Sequence, residues 1–451
     1  MEQKNSFYKV VLNIALPVTL QSLLQSSFSV IDQIMTGRLG RTSIAGIGLA
    51  GKFSSLFSVL VSAIAAAAGI MIAQYVGKKD KREISRSFFV NLMAAVLIAV
   101  FFAGVSSIFP SGIMRAYTKD VLTKGVSACY LRIIAISYIP MAVSILLATL
   151  LRCMGGAAMP LYASMFSVAA NTGLNYVLIF GKFGFPKMGV KGAAWATVIS
   201  QIIGCLLIMV LFFRYYKKQE LRLEFVFHLN KSGRIQYMGI LMPILICEFL
   251  WSLGENVYAG IYGHIGTGDC AAMTLTTPVQ VLFIGALSGL SQAAGILIGK
   301  TLGSEEYDRA YKESKKLICY GLFGSIVLSV LLISSRGFYM QIYHVDRDVK
   351  EIAMQILIAF ALIAPVKVLN MILGGGIIRS GGKTKYIMWI DIIGTWGFGV
   401  PLGLLAAFVW DLSIPYVYFI LSLEECVRLG ISLLVFKRKN WMRSLENQNE
   451  A

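Results

Sequence analysis

The sequence predicts an all-α integral membrane protein, with twelve transmembrane helices arranged as two pseudo-symmetric bundles of six. Three observations lead there. Of the 451 residues, 57% are hydrophobic and only 14% are charged, whereas a typical soluble domain carries about 25% charged residues. The apolar residues fall in blocks of about 20 to 30, each long enough to cross a hydrocarbon core of about 30 Å as a helix. The chain also matches itself without gaps at a shift of 226 residues.

The blocks read as spans at 10–35, 45–76, 87–109, 123–151, 161–181, 191–213, 235–262, 271–299, 316–339, 350–378, 387–408 and 414–436. None shows the strict alternation over about ten residues that marks a membrane barrel. Helices are required because the bilayer core offers no water to the backbone. With the N-terminus placed inside, the inner segments hold more than twice as many Lys and Arg as the outer ones. That bias predicts a multi-pass inner-membrane protein with both termini cytoplasmic. The main contributors are Lys78-Lys79-Asp80-Lys81-Arg82, the segment from Arg214 to Arg234, and Lys437-Arg438-Lys439. They are a large part of the net charge of +18 and read as anchors at anionic lipid head groups, so membrane lipid is an expected partner and nucleic acid is not.

The self-match superposes Pro17 on Pro243, Gly37 on Gly263, Gly40 on Gly266, Phe57 on Phe283, Gly69-Ile70 on Gly295-Ile296, Gly77 on Gly303 and Gly155-Gly156 on Gly381-Gly382. Internal similarity at half the chain length indicates two lobes. An even number of helices per lobe makes the repeat parallel, with transport sites expected near the midplane. The expected division is an N-lobe at 1–218, a cytoplasmic linker at 219–234, a C-lobe at 235–436 and a cytoplasmic tail at 437–451.

Enzyme chemistry is not expected. The seven cysteines are scattered and never form CxxC, and the three histidines are isolated, so neither a disulfide framework nor a metal cluster is indicated. Gly381-Gly382-Lys383-Thr384 resembles the end of a phosphate-binding loop, but it follows a membrane helix rather than a strand and lacks the earlier glycine, where Ile377 stands. No organic cofactor is expected. Without a nucleotide site, energy comes from an ion gradient, Na⁺ or H⁺.

Ionisable and amide groups inside apolar helices are costly and mark function. In the first span Gln21, Gln25, Ser29 and Asp32 form one stripe, at i, i+4, i+8 and i+11. In the fifth, Asn171 and Asn175 are i, i+4, as are Thr197 and Gln201 in the sixth. A carboxylate, two amide oxygens and a hydroxyl suit a small hard cation. A lone carboxylate also carries a proton, and the neutral groups also serve as plain interhelical hydrogen bonds. In the C-lobe, Glu248, Ser252 and Glu255 share a face of the seventh span. Lys367 and Asp391 lie in the tenth and eleventh. Glu255, Lys367 and Asp391 are expected to meet, with Lys367 pairing one of the acids. Glu424 and Arg428, at i, i+4, are expected to form a local salt bridge. Pro17 removes a backbone hydrogen bond within the first span and is its expected hinge.

Ala15-Leu16-Pro17 through Val30-Ile31-Asp32, Gly37-Arg38-Leu39-Gly40, Gly77-Lys78, Leu151-Arg152 with Gly155-Gly156, and Ile378-Arg379-Ser380-Gly381-Gly382 resemble the multidrug and toxic compound extrusion (MATE) transporters, bacterial branch. The resemblance covers essentially the whole chain. It implies two six-helix bundles and export of cationic, often aromatic compounds in exchange for Na⁺ or H⁺. It implies that Asp32 is the N-lobe ion site, joined by Asn171, Asn175 and Thr197, and that Glu255 is the family's acid on the seventh span. Two positions depart from the pattern: Asn175 is neutral where some members carry Asp, and Lys367 stands near the place of a further acid. The expected protein is a monomeric antiporter of small, cationic molecules. A lipid-linked saccharide flippase of the same superfamily and a non-transporting receptor are the alternatives.

Overall fold

The computed structural model describes residues 2–218, 224, 231–265, 267–341 and 346–445. Most of the expected linker (219–230, apart from 224), the end of the tail (446–451) and Gly266 of the repeat lie outside the described residues. Among the described residues there is no strand.

The helices are α1 (Glu2–Gly37), α2 (Arg41–Lys78), α3 (Lys81–Ile108), α4 (Val121–Met154), α5 (Ala158–Phe180), α6 (Val190–Lys218), α7 (Lys231–Ile265), α8 (Thr267–Gly303), α9 (Tyr307–Gln341), α10 (Arg347–Ile378) and α11 (Thr384–Val409). All eleven are long and apolar enough to cross a membrane. The twelfth expected span is present as α12, in two abutting pieces, Ile414–Ser422 and Glu424–Lys437. Each piece alone, of 9 and 14 residues, is shorter than a full span.

Local chemistry sets the boundaries. The Asp80 carboxylate accepts the backbone N–H groups of Arg82 and Glu83 at 3.1 and 3.0 Å, capping α3. Asp120 does the same for α4 through the Thr123 N–H at 2.8 Å. Within α4 the helix tightens to a 3₁₀ turn at Ala135–Ser137, just before Pro140, whose ring leaves the carbonyl four residues back without its usual donor. The helix then stops at Gly155, whose φ of +97° suits only glycine well. Pro17 sits inside α1, which runs on through it.

Contacts separate two compact units, one drawn from residues 20–228 and the other from 1–19 together with 229–451. They are called here the first and second units. The helix α1 is thus divided. Its opening residues pack in the second unit, where the Thr19 hydroxyl donates to the Ala286 carbonyl at 3.1 Å, and its remainder belongs to the first.

In the first unit α5 and α6 run against each other at close range. A Cβ on Gly192 would stand 2.5 Å from the Leu178 carbonyl oxygen, and one on Gly204 3.1 Å from the Ser167 side chain. Small residues let membrane helices approach this closely. The stretch between those two contacts carries Thr197 and Ser200. The second unit departs from α geometry: α10 ends in a π turn, Met371–Ile378, and α11 contains two, Ile392–Gly399 and Leu405–Val409. Among the described residues the first unit has none.

Candidate functional site

The first unit brings together Asp32 of α1, Asn171 and Asn175 of α5 and Thr197 of α6. The Asn175 side-chain nitrogen donates to the Asp32 carboxylate at 2.7 Å and to the Asn171 side-chain oxygen at 2.7 Å. The Asn171 nitrogen in turn donates to Ser200 Oγ at 3.1 Å and reaches Thr197 Oγ1 at 3.5 Å. The buried Tyr130 hydroxyl of α4 stands beside Thr197 and Asp32. Asn171 and Asn175 are buried and Asp32 is half-buried.

Two features give this chain of amides its chemistry. Asp32 has no cationic side chain within ion-pair distance among the described residues. The Asn175 side-chain oxygen is buried without a hydrogen-bond donor. A half-buried, uncompensated carboxylate beside an unsatisfied buried carbonyl oxygen is unfavourable as it stands. A cation or a proton at that point relieves both groups.

A cavity of about 430 Å³ opens beside this set, within the range of small-molecule pockets. Asn171, Thr197 and Ser200 form part of its wall, together with Gln21, Gln25 and Gln201 and the apolar Phe28, Met141 and Ile145. Asn171 and Thr197 thus connect the cavity to Asp32. Ser29 leaves the expected stripe: it is exposed, and its hydroxyl turns back on its own helix to the Gln25 carbonyl at 3.1 Å.

Arg152 also lines the cavity, a residue the sequence marked only as part of a motif. Its guanidinium donates to Gln21 Oε1 at 2.7 Å, while Gln21 donates to Ser164 at 2.7 Å. No carboxylate lies within ion-pair distance of it among the described residues, and its Nε is buried and unpartnered. Ser200 was equally overlooked, although it lies three residues after Thr197 on the same helical face.

In the second unit the charges meet differently from expectation. Asp391 pairs with Arg428, not with Lys367. Arg428 also reaches Glu425 at 3.5 Å rather than Glu424, so the expected i, i+4 bridge of α12 is replaced by an i, i+3 contact and a bridge to α11. Glu424 instead accepts from the Tyr258 hydroxyl of α7 at 2.6 Å. The physical reason is close packing: glycines of the π turn Ile392–Gly399 lie against the α12 side chains. A Cβ on Gly394 would lie 2.2 Å from the Arg428 side chain, and one on Gly399 2.2 Å from the Glu424 carboxylate. Glu255 is exposed. Lys367 has Tyr418, Glu425, Glu255 and Glu424 as electrostatic neighbours, with no ion pair under 4.0 Å among the described residues. Asn370 donates to the Glu425 carboxylate at 2.8 Å.

Comparison with known proteins bears on the chain as a whole. The MatE family model matches the chain twice, over residues 17–177 and 243–405, the two matches beginning at Pro17 and Pro243 of the internal repeat. The chain is 26% identical to "Probable multidrug resistance protein YoeA" of Bacillus subtilis, over 99% of this chain and 97% of that one. It is 23% identical to the B. subtilis "Uncharacterized transporter YisQ", over 94% and 92% of the two chains. A crystal structure of a point mutant of the Vibrio cholerae MATE transporter VcmN shares the fold with a TM-score of 0.88 at 15% identity, covering 99% of this chain and 100% of that one.

Proposed function

This chain belongs to the MatE family, and on that premise we propose that it is a secondary antiporter that exports small molecules in exchange for Na⁺ or H⁺ bound at Asp32. The observation that carries the reading is the uncompensated Asp32 carboxylate held by Asn175, whose own oxygen lacks a donor. As it stands, the Asn175 amide presents N–H to an ionised carboxylate. Turned over, it presents oxygen to a bound Na⁺ or to the O–H of a protonated Asp32. The same side chain can therefore serve the ion-free and ion-loaded forms. Asn171 and Thr197 couple that change to the cavity wall, where cargo binds. An ion drives transport only if it binds two conformations of the carrier with different affinity, and a turned amide is a difference of that kind.

Multidrug resistance proteins among the relatives support a drug or toxic-metabolite cargo and weigh against a saccharide-lipid flippase. The expected cargo is cationic and aromatic. Arg152 favours a second reading, in which the cargo also carries an acid group that meets the guanidinium while its cationic end lies toward Asn171 and Thr197. Competition between an aromatic amino acid derivative and its methyl ester, read against export of a fluorescent cation, separates the two: preference for the free acid supports the second reading.

The main test is export from proteoliposomes driven by a Na⁺ jump or by a pH jump. The proposal expects export to follow at least one of the two gradients in the native protein and neither in Asp32→Asn. Export by the variant at native rates would remove Asp32 from the mechanism. Full activity on a pH gradient in Na⁺-free buffer would assign the proton.

A further inference from the structure

The internal repeat gives the ion site a counterpart in the second unit. At the shift of 226 residues Asp32 falls on Tyr258, Met141 on Lys367 and Thr197 on Leu423, the neighbour of Glu424. These counterparts stand together. The Tyr258 hydroxyl of α7 donates to Glu424 Oε2 of α12 at 2.6 Å, so a hydroxyl and a carboxylate face each other across the helices that correspond to α1 and α6. The acid has changed sides. It stands on α1 in the first unit and on the counterpart of α6 in the second.

The cation differs more. Met141 is part of the cavity wall in the first unit, and its counterpart on α10 is a half-buried lysine. Lys367 has Tyr418, Glu425, Glu255 and Glu424 as electrostatic neighbours. Tyr418 is fixed by donating to Gln280 Oε1 at 3.1 Å, while Gln280 donates to Thr276 at 3.0 Å. Among the described residues Lys367 makes no ion pair under 4.0 Å with any one acid. It is shared among several oxygens, which suits an ammonium with donors in three directions. Arg428 is committed to Asp391, with Glu425 at 3.5 Å. Without the lysine, that one guanidinium would face Asp391, Glu424 and Glu425, and carboxylates inside a helix bundle are unfavourable without a cation.

We propose that Lys367 is a built-in cation, which occupies in the second unit the place a coupling ion takes in the first and so closes that unit to a coupling ion. The inference rests on the antiport reading of Asp32. A tethered ammonium meets its carboxylates as an intramolecular partner, at an effective concentration that dissolved ions do not match. It cannot leave the protein with each cycle, so no gradient acts through it. The first unit alone then exchanges an ion with solution, and the number of ions per cargo is fixed by a lysine that touches neither.

The test empties the place and offers a substitute. Lys367→Ala removes three methylenes and the ammonium, a volume that n-propylammonium refills. Melting of the full-length protein in detergent is followed in n-propylammonium chloride, in NaCl and in the chloride of the bulky cation N-methyl-D-glucamine, at equal ionic strength. Every protein compared carries Asp32→Asn, so the outcome does not depend on whether Asp32 holds the coupling ion, and failure here is distinct from failure of the antiport reading. With Lys367 in place, melting should be the same in all three salts. Asp32→Asn/Lys367→Ala should melt several degrees lower in the bulky salt and recover most of that loss in n-propylammonium or Na⁺. Equal melting of this variant in the three salts, or the same recovery with the lysine present, overturns the proposal. If the variant does not fold, adding Glu424→Gln removes the acid left over; the triple variant should then fold and ignore the choice of cation. A triple variant that also fails to fold would make Lys367 a packing residue and overturn the proposal as well.

Discussion

Each unit contains an asparagine in the same chemical position. Asn175 in the first and Asn370 in the second both donate their side-chain nitrogen to a carboxylate, Asp32 at 2.7 Å and Glu425 at 2.8 Å. Both leave their side-chain oxygen buried without a donor. The difference is in what surrounds the acid. Glu425 has Arg428 at 3.5 Å and Lys367 nearby, whereas Asp32 has no cation within ion-pair distance among the described residues. The protein itself neutralises one carboxylate and leaves the other without an internal cation, the place where the proposed coupling ion would bind. An acid inside a helix bundle is free to take up an ion when it lacks an internal partner, and serves as scaffold when it has one.

The strongest way to break that contrast is to neutralise the acids in turn. Asp32→Asn should reduce gradient-driven export to the passive background while the variant stays folded and binds cargo. Glu255→Gln, on an exposed acid with no ion pair under 4.0 Å among the described residues, should leave export gradient-driven. The reverse ranking would move the coupling group to the second unit.

Arg428→Met should be the largest stability effect. It strands Asp391 and Glu425, and breaking such a pair where it is buried costs about 3–5 kcal/mol, which should appear as a drop of several degrees in melting temperature. Adding Asp391→Asn and Glu425→Gln should restore both stability and coupled export. A stable triple variant that no longer transports would make the second network functional after all.

A smaller effect is expected where α6 meets α5. Gly192→Leu places a side chain against the Leu178 carbonyl and should cost about 1–3 kcal/mol, weakening ion dependence although every ligand of the site remains. Gly173→Ala, at a position of α5 with nothing within 4 Å, should be silent. If both behave alike, the tight helix contact does not position Thr197.

The smallest effect sharpens the contrast most. Asn175→Ala should weaken Na⁺ dependence more than pH dependence, at a cost of about 1 kcal/mol for the lost hydrogen bonds. Asn370→Ala should lower the melting temperature by a few degrees and leave ion dependence alone. Matching shifts in ion dependence would make the two asparagines equivalent.

The same contrast explains what the sequence made legible. Asp32, Asn171, Asn175 and Thr197 lie on regular α-helices, so spacing of four residues places them on shared faces, and the structure joins them. Matched prolines and glycines revealed the two copies because those residues act through the backbone and survive any change of side-chain chemistry. Arg152 was hidden because a lone basic residue near a helix end looks like an anchor; only the cavity shows that it faces inward. The second-unit pairs were hidden for a stricter reason. Asp391 and Arg428, like Tyr258 and Glu424, sit on different helices, and periodicity within a helix does not say which faces of two helices meet.

The π turns of the second unit also bear on how the chain tolerates insertion and deletion. A π turn holds one residue more than the α turn it replaces, without a loop to absorb the excess. Deleting one residue within Ile392–Gly399 therefore need not break the rod. It can anneal to an α-helix, at the expense of turning everything on one side of the deletion about the helix axis. The length of the span would hardly change, while Asp391 would swing away from Arg428. In this half of the molecule an alignment gap placed inside a membrane helix is physically reasonable, and one that preserved hydropathy perfectly would still rewire the charges.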